Sequence, residues 1–360
     1  MKNETIKKRI RKIRLLLQKK NFSSLIVTKP PNVTHITGFL GDDSWALITP
    51  RNVYLLTDSR YTEQAKNQCR LCKIIQRTGP MPQTIDKLLK KLKSTQKLAV
   101  ETSTSIADFK ALKKHLNLKI KPASDIIEQA RSSKDNTEIA CVKKAADIAA
   151  AALKQTIKFI KPGISESELA GRLDFQIRKA TAANSFETIV AFGPNASKPH
   201  HQPSKRKLKR KDSVLIDFGV RYNGYCCDIT RCFTLGKPTP LYKKAYDAVL
   251  KAQTAAIKMV KPGVKIKNLD AAARKVIADQ NLPVYGHGTG HGLGIEIHED
   301  PFLNEKSKDK LQQGHIITIE PGIYIPRKLG IRIEDDILVT KTGPKILTRK
   351  CAFKSLTQIR

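Results

Sequence analysis

Residues 286–301 read GHGTGHGLGIEIHEDP and place three of the chain's eight histidines, His287, His291 and His298, within twelve residues. Neutral imidazole is the commonest metal ligand in proteins and a common acid or base in catalysis. Glycine has no Cβ and accepts positive φ, so the interspersed glycines predict a backbone that a bound ligand can approach closely. These residues alone also fit a glycine-rich loop that carries histidines by chance. A metal or catalytic site is favoured only if carboxylates elsewhere in the chain complete it.

Four otherwise apolar segments of the chain each contain acidic residues. Residues 214–220 (VLIDFGV) and 226–233 (CCDITRCF) flank a turn at 222–225 and predict a β-hairpin. Residues 316–324 (IITIEPGIY) and 330–339 (GIRIEDDILV) predict two more strands. A carboxylate inside a buried strand is unfavourable unless it is paired or bound to metal, and a single one would fit a structural ion pair. The carboxylates that we expect inside these strands are Asp217, Asp228, Glu320 and Glu334.

These four carboxylates and one histidine of the glycine-rich segment together predict a metal cluster. They form a hard, oxygen-rich ligand set that suits two divalent ions, with Mn²⁺, Co²⁺ and Zn²⁺ all plausible. Two carboxylates must bridge, because five side chains are few for two ions. Water between such ions becomes a nucleophile, and the paired positive charge stabilises a tetrahedral oxyanion.

An internal repeat predicts how the segments are arranged. Residues 157–163 (IKFIKPG) are matched by residues 257–263 (IKMVKPG), one hundred positions further on. Each copy ends a predicted helix at Pro-Gly, and a second predicted helix follows. The repeat therefore predicts two related halves, with a ligand-binding cleft where they meet.

The N-terminal third predicts a separate small α/β domain. Ile6, Ile10, Ile13 and Leu17 recur at helical spacing and predict a helix docked on that domain. Strands at 45–49 and 53–57 flank a turn at Pro50 and predict a hairpin, and helical patterns alternate with strands beyond it. We place the domains at residues 1–130 and 131–360.

Composition limits the location and the partners of the protein. No run approaches the ~20 apolar residues that span a bilayer, the N-terminus lacks the features of a signal peptide, and seven scattered cysteines do not indicate a disulfide scaffold. We therefore expect a cytoplasmic protein without a membrane segment. The net charge of +35 invites a nucleic-acid hypothesis. However, the densest basic run, residues 205–211 (KRKLKRK), has no recognition motif beside it, so weak, salt-sensitive polyanion binding is favoured.

The motifs, taken together, resemble the dinuclear "pita-bread" metallopeptidases, which include methionine aminopeptidase, aminopeptidase P and prolidase. LIDFG with GYCCDITRCF, TIEPGIY and GIRIEDDILVT resemble the family's ligand strands, and HGTGHGLGIEIHEDP resembles the signature of its proline-specific branch. NVTHITGF and LLTDSRYTEQA resemble the creatinase-type domain that precedes the catalytic domain in prolidases and aminopeptidases P. The resemblance implies an α+β chain in which a small α/β creatinase-like domain precedes a pseudo-twofold pita-bread catalytic domain.

The resemblance also implies a role for individual residues. Asp217 would bind one metal ion, His291 and Glu320 the other, and Asp228 and Glu334 would bridge the two; Glu320 would also be the general base. The residues that would complete the catalytic site are His200, His287, His298 and Arg332. The sequence does not decide whether His200 or His201 takes the first of these positions, because the family often has glycine after this histidine and this chain has a second histidine there.

The resemblance implies hydrolysis of Xaa-Pro bonds by a metal-bridging hydroxide. The implied substrates are peptides with proline at the second position, and the implied oligomeric state is a homodimer. Xaa-Pro dipeptidase and Xaa-Pro aminopeptidase both fit, with Mn²⁺ as the expected metal. The alternative is a non-enzymatic protein of the same fold that binds nucleic acid or protein through its basic surface. A creatinase-like amidinohydrolase is disfavoured because creatinase lacks the metal-site carboxylates.

Overall fold

The computed structural model describes residues 3–69, 71–92, 97–352 and 355–359. They belong to two compact units, Met1–Arg131 and Ser132–Arg360. The first unit contains, in chain order, α1 (Asn3–Lys19), β1 (Ser24–Val27), α2 (Pro30–Thr37), β2 (Trp45–Ile48), β3 (Val53–Thr57), α3 (Thr62–Gln68), β4 (Lys73–Gln76), α4 (Met81–Lys91), β5 (Leu98–Glu101), α5 (Ile106–His115), β6 (Ile120–Ala123) and α6 (Ile126–Ser132).

The first unit is built on a mixed six-stranded sheet in the order β4-β3-β2-β1-β5-β6. Strand β1 pairs antiparallel with β2 and parallel with β5, so both kinds of ladder meet at the centre of the sheet. Strands β2 and β3 form the predicted hairpin, with Trp45 opposite Leu56. The alternation of strands and helices confirms the expected α/β unit.

Helix α1 buries one apolar side. Ile6, Ile10, Ile13 and Leu17 are at most 7% exposed and belong to the hydrophobic cluster that includes Leu25 of β1. Burial of an aliphatic side chain stabilises by roughly 1.5–3 kcal/mol, so this stripe holds the helix on the core of its unit. The prediction of a docked helix is confirmed.

The second unit alternates helical hairpins with antiparallel strands. It contains α7 (Asn136–Thr156), α8 (Glu166–Lys179), β7 (Ala183–Asn184), β8 (Ile189–Phe192), β9 (Ser213–Phe218), β10 (Val220–Tyr222), β11 (Tyr225–Cys226), β12 (Ile229–Leu235), α9 (Pro240–Lys258), α10 (Ile266–Ala278), β13 (Gly290–Gly292), β14 (Glu299–Leu303), β15 (Ile316–Ile319), β16 (Gly322–Ile325), β17 (Leu329–Arg332), β18 (Asp335–Thr340), β19 (Gly343–Ile346) and β20 (Thr357–Ile359). No helix in the described ranges has both the length and the apolar character needed to cross a membrane.

The repeated Pro-Gly segments adopt the same local structure in both halves of this unit. Gly163 and Gly263 have positive φ values of 92° and 88°, which glycine adopts without a Cβ clash. Gly163 donates its N–H to the carbonyl of Leu208 (2.9 Å), and Gly263 donates to that of Leu311 (2.8 Å). The two helical hairpins therefore enter their halves through equivalent turns, as the repeat predicts.

The strands repeat as well. The first half orders its strands β12-β9-β8 and the second β18-β15-β13, with antiparallel pairing throughout. In β9, Ile216 and Phe218 pack in the cluster that contains the buried sides of α7 and α8. Successive side chains of a strand point to opposite faces, so Asp217 points away from that core. The pseudo-twofold organisation is confirmed.

The expectation that all four acidic residues lie inside strands is wrong for three of them. Asp217 lies within β9, but Asp228 comes directly before β12, Glu320 directly after β15, and Glu334 directly before β18. Each of the three lies where the chain changes sheet. At Asp228 it passes from the three-stranded sheet (β11) to the four-stranded one (β12), and at Glu320 and Glu334 it leaves the five-stranded sheet for the β16-β17 hairpin and returns. Asp217 and Glu320 lie near the ends of the equivalent strands β9 and β15, and Asp228 and Glu334 directly precede the equivalent strands β12 and β18. The pseudo-symmetry therefore brings the four carboxylates together.

Candidate metal centre

The nine residues expected from the sequence line one cavity of about 490 Å³ in the second unit. Its volume lies within the roughly 300–1,000 Å³ of small-molecule sites. Those residues are His200, Asp217, Asp228, His287, His291, His298, Glu320, Arg332 and Glu334.

Three buried groups form the tightest part of the cluster. Asp228, His291 and Glu334 each offer one ligand atom, and these atoms all lie within 4.8 Å of one another. His291 Nε2 lies 3.7 Å from Asp228 Oδ2 and 3.5 Å from Glu320 Oε1. The side chains thus converge from both halves on a volume that a cation could share.

Hydrogen bonding fixes the tautomer of His291. Its Nδ1 lies 3.0 Å from the carbonyl oxygen of Gly292, which can only accept, so Nδ1 carries the proton. The lone pair of Nε2 therefore faces the carboxylates and is available to a metal ion. Such a partner on the second ring nitrogen is typical of metal-binding histidines. The N–H of His291 also donates to Thr318 Oγ1 (3.1 Å), which fixes the backbone from which the imidazole projects.

Burial and mutual repulsion perturb the acidic groups. Burial, followed by the charges of Glu334 and Asp217, raises the pKa of Asp228 well above its usual range. Burial also raises the pKa of Glu334 well above its usual range and that of Glu320 to about 7. Burial lowers the pKa of His291 to about 4, which keeps the imidazole neutral. Burial and mutual repulsion therefore disfavour the ionised carboxylates, and a bound cation would restore their ionised form.

Two buried oxygens test whether metal ions fit this cluster. Oδ1 of Asp217 and Oδ1 of Asp228 have no hydrogen-bond partner among the residues that the structure describes. Buried carboxylate oxygens normally have a partner, because leaving one unpaired is costly. Both belong to the expected ligand set, and His291 Nε2 offers its lone pair beside them. The residues therefore fit a pair of oxygen-preferring divalent ions.

A second layer of hydrogen bonds holds Asp217 and reveals a residue that the sequence analysis did not select. Arg332 pairs with Asp217 Oδ2 through Nη2, and its Nη1 donates to the hydroxyl of Tyr324 (2.7 Å). That hydroxyl lies 3.0 Å from His287 Nε2, and burial raises the pKa of Tyr324 to about 12. Tyr324 and Arg332 face the same side of the β16-β17 hairpin, where Gly322 pairs with Arg332. Only the strand register, which sequence motifs do not give, places Tyr324 in the site.

Thr230 was also missed, and it joins the two sides of the cluster. Its hydroxyl donates to Glu334 Oε2 (2.6 Å) and accepts from Arg332 Nε (3.1 Å). Thr230 is completely buried. Its position directly opposite Asp217 in the β9-β12 ladder is the signal that could have identified it, once the register was known.

The structure separates the two adjacent histidines. His201 is buried, and its Nε2 lies 2.9 Å from Glu166 Oε2 in a network that also includes Ser204. His200 is exposed and lines the cavity. The sequence left these two open, and both line the cavity; they differ in that His201 already has a buried structural partner, whereas His200 is exposed.

The remaining two histidines, His287 and His298, differ in whether their ring nitrogens already have hydrogen-bond partners. His287 Nδ1 lies 2.7 Å from the carbonyl of Gly288, and its Nε2 is bound by Tyr324, so both nitrogens are occupied. The ring of His298 lies edge-on to that of His291, with 4.4 Å between centroids. No group in the described part of the chain forms a hydrogen bond to the ring of His298, which therefore keeps a donor free for a ligand.

Comparison with known proteins agrees with this geometry. The model of metallopeptidase family M24 matches residues 140–341, and that of the creatinase/prolidase N-terminal domain matches residues 9–133. The chain belongs to metallopeptidase family M24. It is 35% identical over 350 residues to the Xaa-Pro dipeptidase of Pyrococcus horikoshii, covering 96% of this chain and 98% of that protein. The expected creatinase-type N-terminal domain and pita-bread domain are confirmed.

Two solved structures resemble this M24 chain over nearly its full length. An Xaa-Pro dipeptidase from Bacillus anthracis superposes with a TM-score of 0.94 at 35% identity, covering 98% of this chain and all of that one. An X-Pro aminopeptidase from Thermotoga maritima gives a TM-score of 0.90 at 33% identity, covering 97% and 100%. Proteins with both names therefore share its fold, so fold similarity does not choose between the two activities.

The glycines of this M24 member also have a role in strand packing that we did not expect. None of those at 286–294 has positive φ, so that part of the expectation is wrong, whereas Gly288 and Gly290 line the cavity and their close approach to a ligand stays a prediction. A Cβ on Gly290 would lie 2.0 Å from the carbonyl oxygen of Thr318, and one on Gly292 would lie 2.3 Å from that of Asp300. These glycines let β13 pack closely between β14 and β15, which positions His291.

Replacing Gly290 by alanine is expected to destabilise this M24 protein. The new Cβ would force β13 away from the Thr318 backbone, and overpacking of this kind costs about 1–3 kcal/mol or more. Gly286→Ala is the matched control, because its Cβ would meet nothing within 4 Å. Urea denaturation of the two variants and the parent checks this, and equal stabilities of Gly290→Ala and Gly286→Ala would contradict it.

A buried ion pair anchors the segment that carries His298. Lys134 Nζ lies 3.1 Å from Glu299 Oε2, and the side chains are 1% and 6% exposed. Glu299 Oε1 also accepts from the N–H of Glu296 (2.9 Å), which closes the turn before His298. Glu299 was not selected from the sequence because a motif does not show whether an acidic residue faces a metal or a lysine.

Proposed function

We propose that this chain is a metal-dependent peptidase that hydrolyses Xaa-Pro bonds. The observation that carries the proposal is the convergence of four carboxylates and the unprotonated His291 Nε2 in one cavity, with two buried carboxylate oxygens unpartnered. Membership of family M24 and the names of its relatives support it. They also favour a peptidase over the alternative of a non-enzymatic binding protein.

The ions would be held by Asp217, Asp228, His291, Glu320 and Glu334, with Mn²⁺ proposed and Co²⁺ or Zn²⁺ as alternatives. When bound, they would supply Lewis-acid activation of water and of the scissile carbonyl. Arg332 holds Asp217, and Thr230 holds Glu334, so these carboxylates are oriented before any ligand arrives.

The protein groups would then handle the proton and the carbonyl. Glu320 Oε1 is proposed to take the proton of the attacking water and to deliver it to the proline nitrogen as the C–N bond breaks. That nitrogen must receive a proton to leave as a neutral amine, as any amide nitrogen does. His298 and His200, whose imidazoles face the cavity, are proposed to donate to the carbonyl oxygen as negative charge develops on it.

His287 is proposed to act by positioning. Because both of its nitrogens already have protein partners, it orients the Tyr324 hydroxyl, which in turn binds Arg332. The expected homodimeric state and cytoplasmic location stay predictions.

A metal-replacement assay tests the proposal. Protein stripped with EDTA is expected to be inactive and, after addition of Mn²⁺, to release alanine from Ala-Pro-Phe or Ala-Pro but not from Ala-Ala-Phe. Glu320→Gln, which keeps the shape of the side chain but cannot accept the proton, should lose about 10²–10⁴-fold in kcat. Failure of all Xaa-Pro substrates with Mn²⁺, Co²⁺ and Zn²⁺ alike would refute the activity.

A further inference from the structure

The cavity offers one permanent positive charge, and the protein already uses it. Arg332 is the only lysine or arginine among the described residues that line the cavity. It is 4% exposed and donates through Nε to Thr230 and through Nη1 to Tyr324. Its Nη2 is bound by Asp217 and by the carbonyl of Pro199. Four of the five N–H donors of this guanidinium are used within the protein and its charge is paired with Asp217, so it has no counter-charge left for a substrate carboxylate.

The metal centre would not supply a surplus of positive charge either. Two divalent ions carry four positive charges, and the four carboxylates of the cluster carry four negative charges. Arg332 is itself paired with one of those carboxylates. A further carboxylate brought beside the loaded site would therefore lack a counter-ion from this wall of the cavity.

Apart from the acidic Glu187, the rest of the wall, within the described part of the chain, contains no aspartate, glutamate, lysine or arginine and is partly apolar. Phe302 is a large aromatic residue that is 49% exposed and lines the cavity, and Phe186, Ile189 and Ile297 line it as well. Asn304 adds a neutral amide, which can donate to and accept from a peptide backbone. These groups suit the amide and side chain of a continuing peptide.

We propose that the preferred substrates are peptides of three or more residues with proline second, rather than Xaa-Pro dipeptides, and that Phe302 contacts the chain beyond the proline. The inference rests on the proposed Xaa-Pro peptidase activity. In a dipeptide, the terminal carboxylate is attached to the proline and must enter the cavity, where an unpaired charge is costly. In a longer peptide, the same position is a neutral amide.

Three substrates of matched sequence test the preference. With Mn²⁺-loaded protein, kcat/KM for Ala-Pro-NH₂ and Ala-Pro-Phe is expected to exceed that for Ala-Pro by about 10- to 100-fold, the cost of an unpaired buried polar or charged group. Ala-Pro-NH₂ differs from Ala-Pro only in the terminal charge, so this pair isolates the carboxylate from peptide length.

A positive charge placed at position 302 tests directly whether the wall lacks a counter-ion for the substrate carboxylate. Phe302→Arg is expected to raise kcat/KM for Ala-Pro by about tenfold, in the range of a charge-assisted hydrogen bond, and to leave Ala-Pro-NH₂ without such a gain. Phe302→Gln is the matched control, because it removes the ring without adding charge and should not improve Ala-Pro.

The outcomes separate this inference from the proposed activity. Hydrolysis of Ala-Pro at a rate equal to or above that of Ala-Pro-NH₂ would overturn the substrate preference and leave the Xaa-Pro activity standing. If none of the three is cleaved, the activity itself fails. In that case calorimetric titration with Ala-Pro and Ala-Pro-NH₂ still decides, because equal dissociation constants would overturn the preference.

Discussion

His291→Ala is expected to lose bound metal, whereas His298→Ala is expected to keep its metal and lose turnover. The Nε2 of His291 faces Asp228 and Glu320 with its lone pair free, because Nδ1 is held by a backbone carbonyl. Its loss should weaken metal binding by more than the roughly 10–100-fold that follows loss of an outer partner. His298 faces the cavity, and loss of an oxyanion donor typically costs about 10²–10³-fold in kcat.

Elemental analysis of the purified variants after dialysis, together with steady-state kinetics on Ala-Pro-Phe, measures both quantities. His115→Ala is a suitable control, because it removes an imidazole of α5 that does not line the cavity. It should retain both metal and turnover. An equal loss of metal in His291→Ala and His298→Ala would show that both histidines are ligands and would contradict this division of roles.

Arg231→Met is expected to destabilise the second unit by about 3–5 kcal/mol, the cost of leaving one partner of a buried ion pair without the other. Arg231 Nη2 lies 2.5 Å from Asp335 Oδ1, and the two side chains are 4% and 7% exposed. Thr348 and Gln253 donate to the same carboxylate, at 2.6 Å and 3.0 Å. Because Asp335 directly follows Glu334, the variant should also weaken metal binding.

Urea denaturation in EDTA measures the stability without a contribution from bound metal. The double variant Arg231→Met with Asp335→Leu should lose less than Arg231→Met alone, because it leaves no unpaired buried charge. Lys243→Met is the control, since its ion pair with Asp247 is exposed (64% and 43%) and such pairs are worth at most about 1 kcal/mol. A loss for Arg231→Met no larger than that of the control would show that the buried pair is dispensable.

The sequence predicts the ligands of the site more fully than their surroundings. Strand acids and clustered histidines are conspicuous because such residues are rare in apolar segments, and the resemblance to a family carries the whole set. The partners of these residues are ordinary: Tyr324, Thr230 and Lys134 are common residue types whose roles depend on which neighbour they meet. The position of three carboxylates at strand ends likewise follows from sheet changes that no local pattern reveals.

The sequence by itself determined the repeated halves, the family and nine of the residues that line the cavity, because periodicity, turn chemistry and rare residue types can be read from short segments of the chain. The tertiary structure alone decided that His201, and not His200, pairs with Glu166, a contact that joins residues 35 positions apart. It also decided that the glycines serve strand packing and that Arg332 is committed to the protein. These properties depend on distances between distant segments, and such distances exist only once the two halves have folded against each other.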